Sequence, residues 1–382
     1  MISTALFWGS VIAIFYTYLG YVLLLICYGA LRRRRVQKAS ITPSMSLIIA
    51  AYNEEHSLAK KLENSLRLDY PADALEIIVA SDGSDDRTNS IVKDYARFGV
   101  RLLALPRKGK MIAVDEAAAN ARNEILVFSD ANALFDSQAL RKIARNFADS
   151  QVGGVCGNQI YVSSEKRDSV AQGEQIYWNY DKWLKQLETL TGSIVSADGS
   201  VYAIRRKLYE TPASFSVTDD FAISTAVVAQ GYRLVFESEA IAYEEPTASA
   251  KREFNRKVRI INRGLRGIML RKKLLNPVRY GFYALILFSH KLLRRLVPIF
   301  LLILFITSII LSPHSVFYFG VSLAQASFYG LALASFALRN TRLGQQKMFC
   351  LPLFYCLANV AALVAIVKLL AGKRIERWQP QR

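Results

Sequence analysis

The first 31 residues contain no charged side chain, and the four residues that follow them are all arginine. A helix needs about 20 apolar residues to cross the hydrocarbon core of a bilayer, so this segment is long enough to span it. A secretory signal begins with a basic segment, whereas residues 1–31 contain none, and this difference favours an uncleaved anchor. The rest of the chain must therefore fold with one end fixed in a membrane.

Apolar residues are concentrated again near the other end of the sequence. Overall, 52% of the 382 residues are hydrophobic although 21% are charged, so the two kinds of residue must occupy different regions. We expect an anchor at 1–31, a basic linker at 32–45, a cytoplasmic domain at 46–250, basic interfacial helices at 251–295, membrane helices at 296–372 and a basic tail at 373–382. The spanning candidates in the later region are 296–311, 315–338 and 349–370, whereas cations interrupt 279–295.

The formal net charge of the chain is +18, and many of the cations lie beside the apolar segments. Four arginines follow the first apolar run, and ten lysines and arginines lie between residues 251 and 273. This placement predicts binding to anionic lipid and to phosphate, and it argues against a nucleic-acid partner. The positive-inside rule places residues 32–295 in the cytoplasm, beside the inner or plasma membrane. The side of the C-terminus stays open, because three later spans predict the outside and the basic tail favours the inside.

The central region alternates short apolar runs with helical patterns. The apolar runs are 46–51, 76–80, 101–105 and 124–128, and the helical patterns include 57–66, 88–95 and 110–121. Strands that alternate with helices of this length predict an α/β fold with a mostly parallel sheet. Ligands of such sheets bind beyond the carboxyl ends of the strands, which is where the acidic loops of this sequence fall.

Two of these loops carry residues suited to a nucleotide. Asp82 can accept hydrogen bonds from a uracil-like ring or a ribose hydroxyl, and Ala50, Tyr52 and Glu54 can form the neighbouring wall. The alternative for the segment around Asp82 is a turn that caps the next helix, which is the commoner use of such a segment taken alone.

The loop after the fourth apolar run offers oxygen ligands for a metal ion. Asp130 and Asn132 could hold Mg²⁺ or Mn²⁺, which in turn would bridge the oxygens of a diphosphate. The alternative is an Asx turn before the next helix. Lys110, with Lys108 beside it, could face phosphate, although exposed lysines are usually only solvated.

Two adjacent carboxylates, Asp219 and Asp220, precede the apolar helical segment 221–229. One carboxylate would cap the helix and leave the other free, and we assign the free one, Asp220, the role of general base. Arg256 and Arg259 lie three residues apart on one predicted helix face, so both could bind the same phosphate. Lipid headgroups are the alternative target of these arginines.

Taken in order, these motifs resemble those of the family 2 glycosyltransferases, in particular the membrane-integrated branch with cellulose, chitin, hyaluronan and poly-N-acetylglucosamine synthases. The resemblance extends over about residues 46–270 and the flanking apolar segments. It implies a GT-A fold, which is Rossmann-like, together with a nucleotide-sugar donor and a divalent metal ion as cofactor.

The resemblance also implies an acceptor-side loop at Asp198 and Gly199, and it matches Asp219 and Asp220 to the last two residues of the family's Thr-Glu-Asp motif. Arg259 keeps the arginine of the family's Gln-x-x-Arg-Trp motif, whose role is diphosphate binding. Two departures stand out. Asn132 replaces the second metal-motif acid, and Arg256 and Ile260 replace the Gln and Trp of the later motif.

The implied function is inverting hexosyl transfer from a nucleotide-diphosphate sugar, expected to be a UDP-sugar, to a growing polysaccharide. Transfer of one sugar to a polyprenyl-phosphate or another lipid-linked acceptor is the first alternative. A membrane scaffold that senses nucleotide sugars without catalysis is the second. The expected partners are the donor, the glycan or lipid acceptor and the bilayer, while a homo-oligomer or export partners stay open.

Overall fold

The computed structural model describes residues 1–162, 169–212, 214, 217–245, 250–338, 341 and 346–373. The strands are β1 Met45–Ala51, β2 Leu75–Asp82, β3 Val100–Leu105, β4 Ile125–Asp130, β5 Leu134–Phe135, β6 Val152–Tyr161, β7 Tyr202–Arg205 and β8 Arg233–Glu244. The main helices are α1 Ile2–Leu31, α2 Leu58–Leu66, α3 Thr88–Asp94, α4 Lys110–Asn120, α5 Ala139–Ala144, α6 Ser169–Thr191, α7 Asp219–Ala229, α8 Ala250–Leu270, α9 Phe282–His314, α10 Val316–Leu338 and α11 Lys347–Leu370.

Within the described residues, the eight strands form one sheet in the order β3-β2-β1-β4-β7-β6-β8-β5. The pairs β1–β2, β2–β3, β1–β4 and β6–β8 are parallel, and the pairs made by β7 and β5 are antiparallel. The predicted α/β fold with a mostly parallel sheet is confirmed. The parallel strands β1, β2 and β4 end at the same edge, and this edge carries Ala51, Asp82 and Asp130.

Both faces of the sheet are buried, which explains the continuous apolar runs in the sequence. In β1, Leu47 and Ile49 pack on one face with Leu58 and Leu62 of α2. The alternate residues of β1 pack on the other face in a cluster that also contains Tyr21 of α1. The domain and the first membrane helix therefore share a hydrophobic core.

Among the residues that the structure describes, four helical stretches are long and apolar enough to cross a membrane, namely Ile2–Leu31, Phe282–His314, Val316–Leu338 and Leu351–Leu370. Most of 279–295, which the sequence placed at the interface, continues without a break into the second of these stretches. The cations there are compatible with this position because some of them are paired with buried carboxylates of the domain. The tail beyond residue 373 lies outside the described residues, so the side of the C-terminus stays a prediction.

The amphipathic helix α8 lies between the domain and the membrane helices. Gly267 sits against the Phe221 ring of α7, where a Cβ would come within 2.7 Å of a ring carbon. On another side, Val258 packs with Ala361 and Ala365 of α11, and the Asn262 side-chain amide donates to the Ala365 carbonyl at 3.1 Å. Residues of α8 thus reach both the domain and a candidate membrane span.

Candidate active site

The loops that follow β1 and β2 are locked together. Asn53 has a left-handed φ of 51°. Its side-chain oxygen accepts a hydrogen bond from the Asp85 backbone amide, and its backbone amide donates to the Ser84 hydroxyl. The Glu54 backbone amide donates to the Thr88 hydroxyl at 2.8 Å. The Glu54 carboxylate accepts from the Ser57 hydroxyl at the start of α2. The nucleotide role predicted for Glu54 stays a prediction, and part of its carboxylate is used locally.

Asp82 is 1% exposed, and its carboxylate is held by the loop before α4. It accepts hydrogen bonds from the backbone amides of Lys108 and Gly109, both at 2.8 Å, and it is paired with Arg107. The Arg107 guanidinium also lies over the Tyr52 ring, 3.4 Å from its centroid. Arg107 therefore contacts both Asp82 and Tyr52, which the sequence assigned to the nucleotide. A nucleotide that binds both side chains must displace the Arg107 guanidinium.

Lys110 joins two acidic loops that are far apart in sequence. Its ammonium lies 2.6 Å from Asp130 Oδ1 and 3.0 Å from Asp219 Oδ2, and the Lys110 side chain is 14% exposed. Burial disfavours the charge, but the two carboxylates outweigh it and raise the pKa of Lys110 above its ordinary value. The same ion pair helps to hold the pKa of Asp219 below its usual range against the effect of burial.

Gly199 lines the space in which Asp130, Asp220 and Lys110 meet. A Cβ placed on Gly199 would lie 3.8 Å from Asp130 Oδ2, 4.0 Å from Asp220 Oδ2 and 4.0 Å from Lys110 Nζ. Asp220 therefore points toward Asp130 and not away from it. Burial and the adjacent Asp219 charge raise the pKa of Asp220 above its ordinary value, which makes its carboxylate a better proton acceptor.

A row of arginines on α8 faces this acidic group. Burial and the neighbouring guanidinium groups of Arg263 and Arg256 lower the pKa of Arg259, while Asp130 and Asp219 oppose the shift. Among the described residues, Arg259 has no hydrogen-bond or ion-pair partner. Arg256 is paired with Glu253 on its own helix, at 2.7 Å. Arg259 is therefore the better placed of the two predicted arginines to bind an incoming anion.

Arg263 is a site residue that the sequence reasoning left out. It lies one helical turn beyond Arg259, and its guanidinium donates to the Val217 carbonyl at 2.6 Å, just before Asp219. The charges of Asp219 and Asp220 act on it. The signal was available in the spacing, because residues four apart on a helix share a face.

Asp130 can offer a carboxylate oxygen to a divalent cation, although the described residues contain no group of three or more acidic, cysteine or histidine side chains placed to hold one. Asp130 is one-third exposed, and its Oδ2 faces the space beside Gly199. Burial raises the pKa of Glu244, at the end of β8, to about 7, and the negative charge of Asp130 contributes to the same shift. Asn132 is exposed. Carboxylate oxygens are the ligands that Mg²⁺ and Mn²⁺ prefer, so the side chains of Asp130 and Glu244 are of the right chemical type for such an ion.

Lys61 of α2 is fully buried beneath this loop, which the sequence did not predict. Its ammonium donates to the Ser129 hydroxyl at 2.8 Å and to the Ala133 carbonyl at 2.5 Å, and it lies over the Phe135 ring at 3.8 Å. Burial lowers the pKa of Lys61 to about 7. All three contacts are made by the segment that contains Asp130, so Lys61 supports that segment from behind.

We expect Lys61→Met to lower the affinity for Mn²⁺ by about 10–100-fold, the usual effect of losing a support behind a metal ligand. Stability should fall by about 1–3 kcal/mol, because the variant leaves the buried Ala133 carbonyl without its donor. Manganese titration and thermal unfolding would measure the two quantities. Lys60→Met is the matched control because Lys60 is exposed. Equal affinities in the two variants would contradict the supporting role.

Asp198, predicted on the acceptor side, belongs to a buried network that reaches the membrane helices. Its carboxylate is paired with Lys185 of α6. One turn further along α6, Glu188 Oε1 accepts a hydrogen bond from the Tyr21 hydroxyl of α1 at 2.6 Å. The same oxygen lies 2.6 Å from His290 Nδ1 of α9. The loop beside the site is thereby connected to two candidate membrane spans. A contact of Asp198 with an acceptor stays a prediction.

The sequence profile described as "Glycosyl transferase family 2" matches residues 46–211. This range contains β1 to β4 with the loops that carry Asp82, Asp130 and Gly199. Residues 46–211 form a family 2 glycosyltransferase domain. The glycosyltransferase domain is followed by Asp219, Asp220 and the arginines of α8, which lie outside the matched range.

The proteins similar to the chain include two synthases and one mannosyltransferase of known structure. The chain is 26% identical over 226 residues to a beta-monoglucosyldiacylglycerol synthase of Trichormus variabilis, covering 57% of this chain and 48% of that protein. It is 26% identical over 208 residues to a poly-beta-1,6-N-acetyl-D-glucosamine synthase of Staphylococcus aureus, covering 52% and 49%. The chain thus matches about half the length of these relatives.

A mannosyltransferase from Pyrobaculum calidifontis, solved with GDP-Man and Mn²⁺, superposes with a TM-score of 0.69. The match covers 97% of this chain and all of that chain at 20% identity. This likeness confirms the predicted GT-A fold for the glycosyltransferase domain, and the similarity extends to the helices outside the domain.

Proposed function

We propose that this chain transfers a sugar from a nucleotide-diphosphate sugar to an acceptor hydroxyl at a membrane surface. The observation that carries the proposal is the convergence of Asp130, Lys110 and Asp220 around Gly199, at the edge of a family 2 glycosyltransferase domain. The nucleotide would bind at the ends of β1 and β2, with Ala50, Tyr52 and Asp82 as its wall. The sugar would then point toward Asp220.

The reaction we propose inverts the anomeric carbon. Asp220 takes the proton of the acceptor hydroxyl, whose oxygen bonds to the anomeric carbon as the bond to the nucleoside diphosphate breaks on the opposite face. The raised pKa of Asp220 suits this step because it brings the base closer to the pH at which proton transfer is efficient. Asp219, held by Lys110, would stay ionised and keep the neighbouring carboxylate basic.

Negative charge develops on the departing diphosphate, and cations face the place where it forms. Arg259 has no protein partner among the described residues, and Lys110 lies beside Asp130 on the other side. A divalent ion held at Asp130, with Asn132 or another oxygen ligand, would supply further charge neutralisation when bound. Fixed charges aimed at a leaving group act without reorganisation, which is how such sites lower barriers.

The position of α8 favours a membrane-bound acceptor. The helix that carries Arg259 packs on α11 through Val258 and Asn262, so the diphosphate side of the site is next to a candidate membrane span. We propose that the domain faces the cytoplasm, where nucleotide sugars are made, and that the chain is an integral protein of the cytoplasmic membrane. Cations on α8 would contact the lipid headgroups.

Donor specificity can be measured with the full-length protein in proteoliposomes that contain extracted native lipids and Mn²⁺. We expect one UDP-sugar to be consumed faster than other UDP-sugars and faster than GDP-mannose. A preference for a guanine nucleotide would contradict the UDP part of the proposal. Absence of sugar transfer from every donor, with a folded protein and active control enzyme, would contradict the function itself.

Product size separates the two acceptor classes. A ladder or a polymer after incubation with radiolabelled donor would support the growing polysaccharide expected from the sequence. A single organic-soluble product would support a lipid acceptor that receives one sugar. The exposed Ile260, where the family motif that the sequence resembles has tryptophan, and the presence of only four candidate spans among the described residues favour the single-sugar product.

A further inference from the structure

One carboxylate oxygen in the site has no role in the reaction described above. Oε1 of Glu244 is buried and has no hydrogen-bond partner, whereas Oε2 accepts a hydrogen bond from the Gln159 side-chain amide. Leaving a buried polar group unpaired costs about 1–3 kcal/mol, and more when the group is charged. The unpaired oxygen is therefore available to a group that comes from outside the protein.

The chain geometry places Glu244 beside the loop of Asp130. Strand β8 ends at Glu244, and the antiparallel register of β5 with β8 pairs Leu134 with Tyr243. The next step of that register brings Ala133 opposite Glu244, at the end of the loop that begins after Asp130. The loop that follows Asp130 and the end of β8 therefore lie side by side at this edge of the sheet.

Three of the cations near Glu244 are committed elsewhere, and Arg259, which has no partner among the described residues, does not pair with Glu244 Oε1 either. Lys110 is bound between Asp130 and Asp219, Arg256 is paired with Glu253, and Lys61 donates to Ser129 and Ala133. None of these contacts satisfies Glu244 Oε1. A cation that arrives with the donor is the group whose chemistry fits two carboxylate oxygens.

We propose that Glu244 and Asp130 together hold the divalent cation, with Glu244 supplying the carboxylate that the sequence lacks at Asn132. This inference rests on the proposed function, which requires a cation, and it adds a residue that binds that cation. Asn132 is exposed, which agrees with a smaller part for its side chain. The departure from the family motif is thereby compensated by a residue more than 100 positions later in the chain.

Manganese binding tests this assignment without turnover. The full-length protein in detergent micelles is titrated with Mn²⁺ alone, and electron paramagnetic resonance measures the free ion. We expect Glu244→Gln to raise the Kd for Mn²⁺ at least tenfold, because even outer-shell partners of a metal account for about 10–100-fold. Glu245→Gln is the matched control, since Glu245 is adjacent and exposed, and its Kd should stay within twofold of wild type.

Three outcomes decide the matter. Weaker Mn²⁺ binding in both Glu244→Gln and Asp130→Asn, with an unchanged Glu245→Gln, supports the shared site. Weaker binding in Asp130→Asn alone overturns the role of Glu244 and leaves the proposed function intact. Equal loss in Glu244→Gln and in Glu244→Asp, which keeps a carboxylate, accompanied by lower thermal stability in both, would show a structural role instead. A failure of sugar transfer would not affect the titration, so the two proposals fail separately.

Discussion

Asp220→Asn is expected to abolish sugar transfer while nucleotide binding is retained. A positioned general base contributes about 10²–10⁴-fold to a rate, and an amide cannot accept the acceptor proton. The substitution keeps the size of the side chain. It also removes one charge from a carboxylate pair whose mutual repulsion raises the pKa of Asp220, so the fold should tolerate it. Initial rates with the preferred donor and fluorescence titration with nucleoside diphosphate would measure the two effects.

The control for this variant is Asp94→Asn, because Asp94 is an exposed aspartate on α3, away from the site. It should retain wild-type rates. Turnover by purified Asp220→Asn at more than a tenth of the wild-type rate would rule out the assignment of Asp220 as the base. The neighbouring carboxylate of Asp219 would then be the next candidate, although its pairing with Lys110 makes it the weaker proton acceptor.

Strands β1 to β4 could be predicted from the sequence, but β6 could not. Strands β1, β2 and β4 are buried on both faces and therefore appear as continuous apolar runs. Strand β6 contains Gly153, Gly154 and Gly157, and glycine ordinarily argues against a strand. In the structure a Cβ at Gly153 would lie 2.5 Å from a Leu208 methyl, and one at Gly157 would lie 2.6 Å from the Ala240 carbonyl. Close packing around these positions leaves room only for glycine. The pattern of residues along one sequence does not reveal such contacts.

The predictable part of the site is the part that sits at strand ends. Asp82 and Asp130 follow apolar runs, so parallel topology alone brings them to one edge. Lys61 could not be found in this way, since it follows Lys60 on an amphipathic helix where lysine is normally solvated. Glu244 was equally hidden, because two adjacent glutamates after a strand look like an ordinary exposed turn. Burial in the assembled fold distinguishes both residues, and burial depends on contacts distant in sequence.

Lys110→Met is expected to lower kcat/KM for the donor by at least 10²-fold, the size of effect seen when one preorganised electrostatic partner is removed from an active site. Its ammonium is the link between Asp130 and Asp219, and both carboxylates lose that counter-charge in the variant. Breaking a buried ion pair costs about 3–5 kcal/mol, and the one-third exposure of Asp130 places this case at the low end. Steady-state kinetics and thermal unfolding would measure both consequences.

Lys93→Met separates the local effect from a general loss of positive charge. Lys93 is exposed on α3 and has no part in the candidate site, so its variant should keep wild-type kinetics. The distribution of the Lys110 effect between kcat and KM then identifies its role. An increase confined to KM would mean that Lys110 binds the donor equally in the ground and transition states, whereas a matching fall in kcat would place its contribution on the departing diphosphate. We expect the second result, because the ammonium lies beside Asp130 and the space faced by Asp220, where the proposed reaction breaks the bond between the anomeric carbon and the diphosphate.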